Sequence, residues 1–380
     1  MKKIAFIPPN GEIVNQDFAL YRIIKFFEAQ GYLTSLLCVK HNHKQSINYD
    51  TNIITVDNKE DIITCLDENE FDLIFHRSWM HRYSFAVELI NKFANIVIYI
   101  KDWQNIPKNE YTYLYKTKDD FQSIKKILSS NCILLTHYQE KYIDKLCQYY
   151  NIKKRKSHFF PEYCNKDSFY TPTKKYFNKN NIKILFASGI NKTSLPMQAS
   201  PAKSVFKMLT TISKQNIYID LMLLPKSYKK VFNDEIDLFQ DYIYEHTFND
   251  FFTIKKGSDL NHRDTDKYNF GIFAGLDFNT KGLYVEAESY AVTSKFAFYL
   301  ESGLPILVHK RFKLLSKIVK KNHIGLIYDD NDLLNFKSFL NISKKDYNQL
   351  LINVSKFREV FSYNKKTMYS IINLLKDPNA

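Results

Sequence analysis

The first 39 residues confine the chain to one architectural class. Lys3–Ile7, KIAFI, is a short β-rich apolar run that stops at Pro8-Pro9-Asn10-Gly11. Asp17 is placed to cap the helix that follows, whose apolar face reads Leu20, Ile23/Ile24 and Phe27 at helical spacing. Gly31 ends that helix, and Leu33–Val39 is the next strand. A strand, a helix and a strand in this order form a βαβ unit. The second strand then lies parallel to the first, with a right-handed crossover between them.

The alternation runs on. Strands are expected at Ile53–Val56, at Phe71–Phe75 ending on His76-Arg77, at Ile96–Ile100 ending on Lys101-Asp102-Trp103, and at Cys132–Leu135 ending on Thr136-His137. Helices are expected at Glu60–Leu66, Phe85–Phe93, Phe121–Leu128 and Glu140–Tyr150, with a last short strand at His158–Phe160. Residues 165–181 are polar and contain Pro172, which marks them as a linker. The pattern then restarts: strand Ile182–Ala187, loop Ser188-Gly189-Ile190-Asn191-Lys192, helix Ala202–Ser213, strand Ile217–Leu224, and a mostly helical Tyr228–Phe239. Asn269–Phe273 is a strand entering a long loop, Ala274–Thr293. Helices near Leu314–Lys321, Asp332–Leu340, Lys345–Phe361 and Lys365–Leu375 and a strand near Gly325–Tyr328 close the chain. The expected organisation is an α/β domain over 1–164, a linker over 165–181, a second α/β domain over 182–364, and a C-terminal helix, 365–380, which the sequence permits to pack back on the first domain.

Composition narrows the partners. The chain has 380 residues and a formal charge of +14, from 54 Lys+Arg against 40 Asp+Glu. Such a balance suits nucleic acid, an anionic membrane or phosphate-bearing substrates. Lysine greatly outnumbers arginine and is spread along the whole chain. Its abundance alongside Asn, Ile, Tyr and Phe suggests an AT-rich coding sequence, so nucleic acid is not expected as a partner. Five cysteines (Cys38, Cys65, Cys132, Cys147 and Cys164) show no metal-binding spacing and read as free thiols. The apolar start is too short for a signal peptide, and no run approaches the ~20 residues of a membrane span. A cytoplasmic protein is expected, with peripheral contact at the inner face of the membrane left open.

The most informative local stretch is Ser294–His309, SKFAFYLESGLPILVH. Ser294 is a good N-cap residue, Lys295–Glu301 contains no helix breaker, and Gly303 suits a helix C-terminus. Pro305 stops the helix and Ile306–Val308 forms a strand. A helix N-terminus carrying Ser and Lys suits a phosphate.

Ser294-Lys295, Tyr299-Leu300 and Gly303-Leu304-Pro305-Ile306 resemble the donor-binding segment of GT-B glycosyltransferases. The similarity is to family-4-like enzymes and to galactofuranosyltransferase-like enzymes of surface-polysaccharide synthesis. Leu315–Val319 and Gly325–Asp329 continue the resemblance. It implies two Rossmann-like domains facing each other across a cleft, a nucleotide-sugar donor, and a glycan or lipid-linked acceptor. It implies donor contacts from Ser294, Lys295, Phe296 and Gly303, and from the Ser188, Gly189 and Lys192 loop. A nucleotide sugar is a substrate here, so no cofactor is expected. The sequence departs from the family pattern at one place: Phe298 stands where many relatives carry a ribose-binding Glu, and Tyr290 stands eight residues before it. Glu286 and Glu288 are nearby candidates to replace that acid.

The first domain should then hold the acceptor and a proton acceptor for its hydroxyl. Asp102, at the end of an apolar strand beside Trp103, is the first choice for catalysis, and His76 the second. Asn10, Gly11 and Trp103 are the acceptor-binding candidates, with His81 and His137 also at strand ends. Asp264-Thr265-Asp266 and Asp330-Asn331-Asp332 match a D-x-D pattern, but the second precedes a helix, where aspartates cap amides; no metal is expected. The basic run Lys153–Lys156 suits anionic headgroups. Alternatives are a GT-B-like epimerase, a catalytically degenerate GT-B subunit, or a sugar- or polyanion-binding protein without transferase activity. A phosphorylase would need a pyridoxal lysine site, for which the sequence gives no support.

Overall fold

The computed structural model describes residues 1–12, 18–40, 50–78, 83–101, 118–153, 157–171, 177–188, 202–257, 262–274 and 287–376. The chain divides into two compact units, Met1–Glu162 with Tyr363–Ala380, and Tyr163–Ser362. It enters and leaves the second unit side by side: Cys164 bridges Ser362, and its amide donates to the Phe361 carbonyl at 3.0 Å.

Unit 1 is a seven-stranded parallel sheet in the order β3-β2-β1-β4-β5-β6-β7. The strands are β1 (Lys3–Ile7), β2 (Leu33–Val39), β3 (Asn52–Val56), β4 (Leu73–Ser78), β5 (Ile96–Ile100), β6 (Ile133–Thr136) and β7 (His158–Phe159). Every residue of β4 and β5 is buried, whereas the edge strand β3 has none buried. That contrast is what a parallel sheet covered on both faces requires: continuous apolar runs in its centre, mixed residues at its rim. The covering helices are α1 (Phe18–Ala29), α2 (Lys59–Glu68), α3 (Tyr83–Lys92), α4 (Lys118–Ser129) and α5 (Glu140–Tyr149). Asn58 caps α2 by accepting from the Asp61 amide at 2.9 Å. The C-terminal helix Tyr369–Lys376 belongs to this unit, where Lys2 Nζ donates to the Leu375 carbonyl.

Unit 2 repeats the plan with six parallel strands in the order β10-β9-β8-β11-β12-β13. These are β8 (Lys183–Ala187), β9 (Tyr218–Leu223), β10 (Phe252–Lys256), β11 (Phe270–Phe273), β12 (Ile306–His309) and β13 (Gly325–Tyr328). One face packs under α6 (Ala202–Ser213), with Ile184, Phe186, Ile219, Leu221, Phe270 and Ile272 in its core. The longest helix here is Lys344–Val360. The other face carries Leu185, Phe273, Ile306 and Val308 against Phe296, Tyr299 and Leu300 of the helix Ser294–Glu301.

Three details depart from the sequence expectations. The linker stretch begins inside unit 2: Asn165 N donates to Glu301 Oε1 at 2.6 Å, and Arg358 donates to Tyr170 O at 2.7 Å and to Thr171 Oγ1 at 2.9 Å. The Tyr228–Phe239 segment breaks into a short α-helix, Pro225–Lys229, a π-turn, Lys230–Asp234, and a 3₁₀ turn, Ile236–Leu238. A strand that the sequence did not announce, β10, forms the sheet edge, since Phe252 and Ile254 turn inward while the intervening positions are half-exposed.

Candidate functional site

In a parallel α/β sheet, ligands bind beyond the carboxyl ends of the strands where the chain's winding direction reverses. In unit 2 that reversal falls between β8 and β11. The two strands pair only through Ile184 with Phe270 and Leu185 with Gly271, and then part. Tyr299 enters this fork from the helix Ser294–Glu301. Its hydroxyl is directed at the carbonyls of Leu185 (3.1 Å) and Ile272 (3.0 Å) and accepts from the Ala187 amide at 3.0 Å. Gly271 makes room for the ring: a Cβ there would lie 2.5 Å from Tyr299 Cγ. Burial pushes the phenol pKa well above its usual range.

One turn earlier on the same helix, Lys295 reaches the mouth of the fork. Its ammonium lies 4.0 Å from the centre of the Phe186 ring in β8 and 5.4 Å from that of Phe273 in β11. The residue keeps partial solvent exposure, yet its ammonium is so enclosed that burial pushes the pKa down to about 7, with the Glu288 carboxylate acting in the opposite direction. A cation seated on two aromatic faces and enclosed by protein is drawn to negative charge, here that of Glu288.

The helix start differs by one residue from the sequence reading. Thr293, with extended backbone (φ −92°, ψ 165°), is the N-cap, and its side chain makes no capping bond. Ser294 is the first helical residue and is exposed. The Phe296 amide donates to the Thr293 carbonyl at 2.9 Å, so the amides of this turn suited to an anion reduce to those of Ser294 and Lys295. The Phe296 side chain belongs to the core, beside Phe361 (ring centres 5.3 Å apart) and Phe273. Gly303 is corrected as well. It sits at the far end of the helix with φ +64°, and Gly303 N donates to Leu300 O and Leu304 N to Tyr299 O. This is a Schellman C-cap, about 13.5 Å along the axis from Ser294 at about 1.5 Å per residue, at the opposite end of the helix from the first-turn amides.

Ser188 directly follows β8 and is half-buried, its amide 3.3 Å from the Met222 carbonyl. Gly189, Lys192 and Glu286 lie outside the described residues, as do Asp102, Trp103 and His81. Glu288 is described, close enough to influence Lys295. Phe298, where relatives often carry an acid, packs its ring 5.0 Å from that of His262. His262 is held in turn by Ser302 Oγ at 2.9 Å and lies 3.4 Å from Glu301 Oε2.

Members of both D-x-D pairs have protein partners. Asp332 closes a capping box with Asp329 at the start of the helix Asp330–Leu334, and Asp330 pairs with Arg311. Asp266 accepts from the Tyr170 hydroxyl. Among the described residues no group of three His, Cys, Asp or Glu side chains could hold a metal ion.

In unit 1 the winding reverses between β1 and β4. Asn10 and Gly11 form a 3₁₀ turn directly after β1. Gly11 has φ +74°, a left-handed conformation that strains other residues, and a Cβ there would lie 2.4 Å from Ile62 Cδ1. His76 is fully buried in β4, with Nδ1 3.3 Å from the Ile7 carbonyl and its ring edge-on to Phe85. Burial pushes its pKa down to about 3. Such an imidazole is a weak proton acceptor at neutral pH. The adjacent Arg77 points to the other face, where Arg77 Nη2 (3.1 Å) and Lys101 Nζ (2.9 Å) share Glu162 Oε1. The Arg77 guanidinium lies 4.7 Å from the centre of the Tyr99 ring.

Sequence reasoning did not assign roles to Phe186, Phe273 or Tyr299, or to the Arg77–Glu162–Lys101 group. Tyr299 stood within the resemblance motif, which was the one available signal.

Comparison with known proteins adds the following. Residues 242–370 match the family model of the glucosyltransferase 3-like C-terminal domain. No curated protein sequence matches the chain. A glycosyltransferase from Rickettsia africae ESF-5 is similar in structure at 11% identity, with a TM-score of 0.65 over 100% of this chain and 99% of that one. Anabaena HepE in complex with UDP-glucose is similar at 10% identity, with a TM-score of 0.64 over 99% of this chain and 100% of that one. WaaG, a glycosyltransferase involved in lipopolysaccharide biosynthesis, is similar at 9% identity, with a TM-score of 0.55 over 97% and 98%. At identities this low the likeness is one of fold.

Proposed function

We propose that this chain, a GT-B glycosyltransferase with a glucosyltransferase 3-like C-terminal domain, moves a sugar from a nucleotide-sugar donor to a hydroxyl of a glycan or lipid-linked glycan. The observation that carries this reading is the Lys295 ammonium at the fork between β8 and β11, beside the first turn of its helix. When the bond from the anomeric carbon to the phosphate oxygen breaks, charge grows on the departing nucleotide diphosphate. A cation and helix-end amides stabilise that charge. The acceptor hydroxyl bonds to the anomeric carbon and gives up its proton, for which Asp102 is the candidate; His76, the second choice from sequence, is buried with its pKa pushed down to about 3 and does not suit that role.

The donor set proposed is Lys295 and Ser294, with Ser188, Gly189 and Lys192 from the loop after β8. Asn10, Gly11 and Trp103 are proposed on the acceptor side. UDP is the first nucleotide to test, because Anabaena HepE is described with UDP-glucose. A place in lipopolysaccharide synthesis is proposed by analogy with WaaG, and one in capsule synthesis from the resemblance of the Ser294–Ile306 segment to surface-polysaccharide enzymes. No helix among the described residues is long and apolar enough to cross a membrane. The net charge of +14 is compatible with a cytoplasmic protein that touches the anionic inner face.

The test is a panel of nucleotide sugars, assayed for thermal stabilisation and for slow hydrolysis. UDP or another nucleoside diphosphate should stabilise the protein, and Lys295→Ala should abolish the shift. No response to any nucleotide would overturn the donor site. A second reading, a degenerate subunit, is favoured by one observation: Phe298, packed on His262, replaces an acid. Nucleotide binding with no turnover of any donor would select it.

A further inference from the structure

Tyr299 does more than fill the core, and its three polar contacts say what. The hydroxyl touches Leu185 O and Ala187 N, the residues on either side of Phe186. It also touches Ile272 O, the residue before Phe273. Its ring lies edge-on to Phe273, with centres 5.8 Å apart and planes at 90°. Phe186 and Phe273 are the two rings that carry the Lys295 ammonium. Sheet hydrogen bonding between β8 and β11 has already ended at Leu185 and Gly271, so past that point the spacing of the strands is not set by a ladder.

We infer that Tyr299 is a positioning residue for nucleotide binding: its hydroxyl fixes the separation of the β8 and β11 ends, and so sets the aromatic seat of Lys295 and the start of the Ser188 loop. This rests on the donor-site reading above. A tyrosine is the side chain that fits. It reaches from the helix across the strand over Gly271, and its single polar atom can donate and accept at once. Phenylalanine would fill the same space and leave the half-buried Ala187 amide and two carbonyls without that partner. The strand ends would then relax apart, and the residues that meet the phosphates would move by fractions of an ångström, enough to weaken binding.

The experiment compares the full chain with Tyr299→Phe, measuring unfolding temperature, UDP affinity by calorimetry, and KM and kcat for hydrolysis of the donor found in the panel. Expected are a UDP Kd and a donor KM raised about tenfold, with kcat changed less than about threefold. A lowered unfolding temperature with Kd and KM equal to the parent's would overturn the inference and leave Tyr299 as a structural residue. If Tyr299→Phe does not fold, 4-aminophenylalanine at 299 decides. Its nitrogen still donates to the carbonyls but accepts poorly from the Ala187 amide. A Kd raised at least about threefold supports the inference, and a parent-like Kd overturns it. The outcomes separate the two layers: if the parent itself binds no nucleotide the donor-site reading fails, whereas if the parent binds, Lys295→Ala does not, and Tyr299→Phe does with parental affinity, only the role of Tyr299 fails.

Discussion

Lys295 Nζ lies 4.0 Å from the centre of the Phe186 ring, a cation seated on an aromatic face where two parallel strands part. With its pKa pushed down to about 7 by burial, partly offset by Glu288, the lysine changes charge within the working pH range. A bound diphosphate favours the charged form and raises that pKa, so by linkage the affinity falls as pH rises through 7. Between pH 7 and 9 the phosphates of UDP are already ionised, with a second pKa of about 6. Calorimetry over that window should show UDP binding weakened roughly tenfold. An affinity flat from pH 7 to 9 would sink the assignment.

Replacing this lysine should separate binding from stability. Its ordinary pKa is 10.5, and the folded protein lowers it, so between pH 7 and 10.5 the unfolded chain holds the proton more tightly. The folded state therefore bears the largest cost of Lys295 below pH 7, and the cost fades as pH rises to 10.5. Lys295→Met should raise stability by about 1 kcal/mol at pH 6–7, less at pH 10, while removing the UDP-induced shift. Thermal unfolding at pH 6.5 and pH 10, with and without UDP, measures both.

Acid should loosen unit 1. Glu162 is fully enclosed, and although burial alone would raise its pKa, Lys101 and Arg77 together hold it well below the usual carboxylate range. Its stabilisation is present above its unfolded pKa of about 4.5 and is lost as pH falls towards the folded value. His76 adds to this from higher pH: buried neutral with a pKa near 3, it resists the proton that the unfolded chain takes up near 6.5. Stability should decline from pH 6.5 downwards, and more steeply below 4.5. Glu162→Gln should cost about 3 kcal/mol at pH 7, by removing the carboxylate charge both cations share. Hydrogen exchange of β4 and β5 amides as a function of pH reports on this unit directly.

The same histidine gives a kinetic prediction. With a pKa near 3, His76 contributes no inflection between pH 5 and 8 to kcat/KM of the donor panel reaction. Conversion of a limb with a midpoint near pH 6.5 into a flat profile by His76→Asn would contradict the burial described.

Gly325 should tolerate no side chain. A Cβ there would lie 1.9 Å from the Ile306 carbonyl oxygen, its partner across the β12–β13 ladder. Backbone has little room to yield, so Gly325→Ala should destabilise unit 2 by about 2–3 kcal/mol. Denaturant unfolding followed by the near-ultraviolet signal of its aromatic core checks it.

Much of the framework is legible in the chain itself. Apolar runs such as Ile96–Ile100 and the spacing of Leu20, Ile23, Ile24 and Phe27 announce buried parallel strands and the helices that cover them. The edge strand Phe252–Lys256 escaped notice because it is short and its lysines break the apolar run. The cap at Thr293 was misplaced by one residue because Thr and Ser both cap well, and only backbone angles separate them.

The site divides along the same line. The helix, its lysine and its glycine stop at Ser294–Gly303 are local features, set by interactions within a few residues, and the sequence alone determined them to within one residue at the start. Lys295 could thus be singled out as a phosphate partner, and Gly303 could be recognised as a turn, though not as one remote from the site. Tertiary structure decided the rest. Tyr299 meets Ala187 from 112 positions away along the chain and Ile272 from 27, and Arg77 meets Glu162 across 85. No periodicity records such encounters, because they exist only after strands far apart in sequence have been laid side by side. What surrounds Lys295, and hence its charge at neutral pH, comes from that packing and not from the residues next to it.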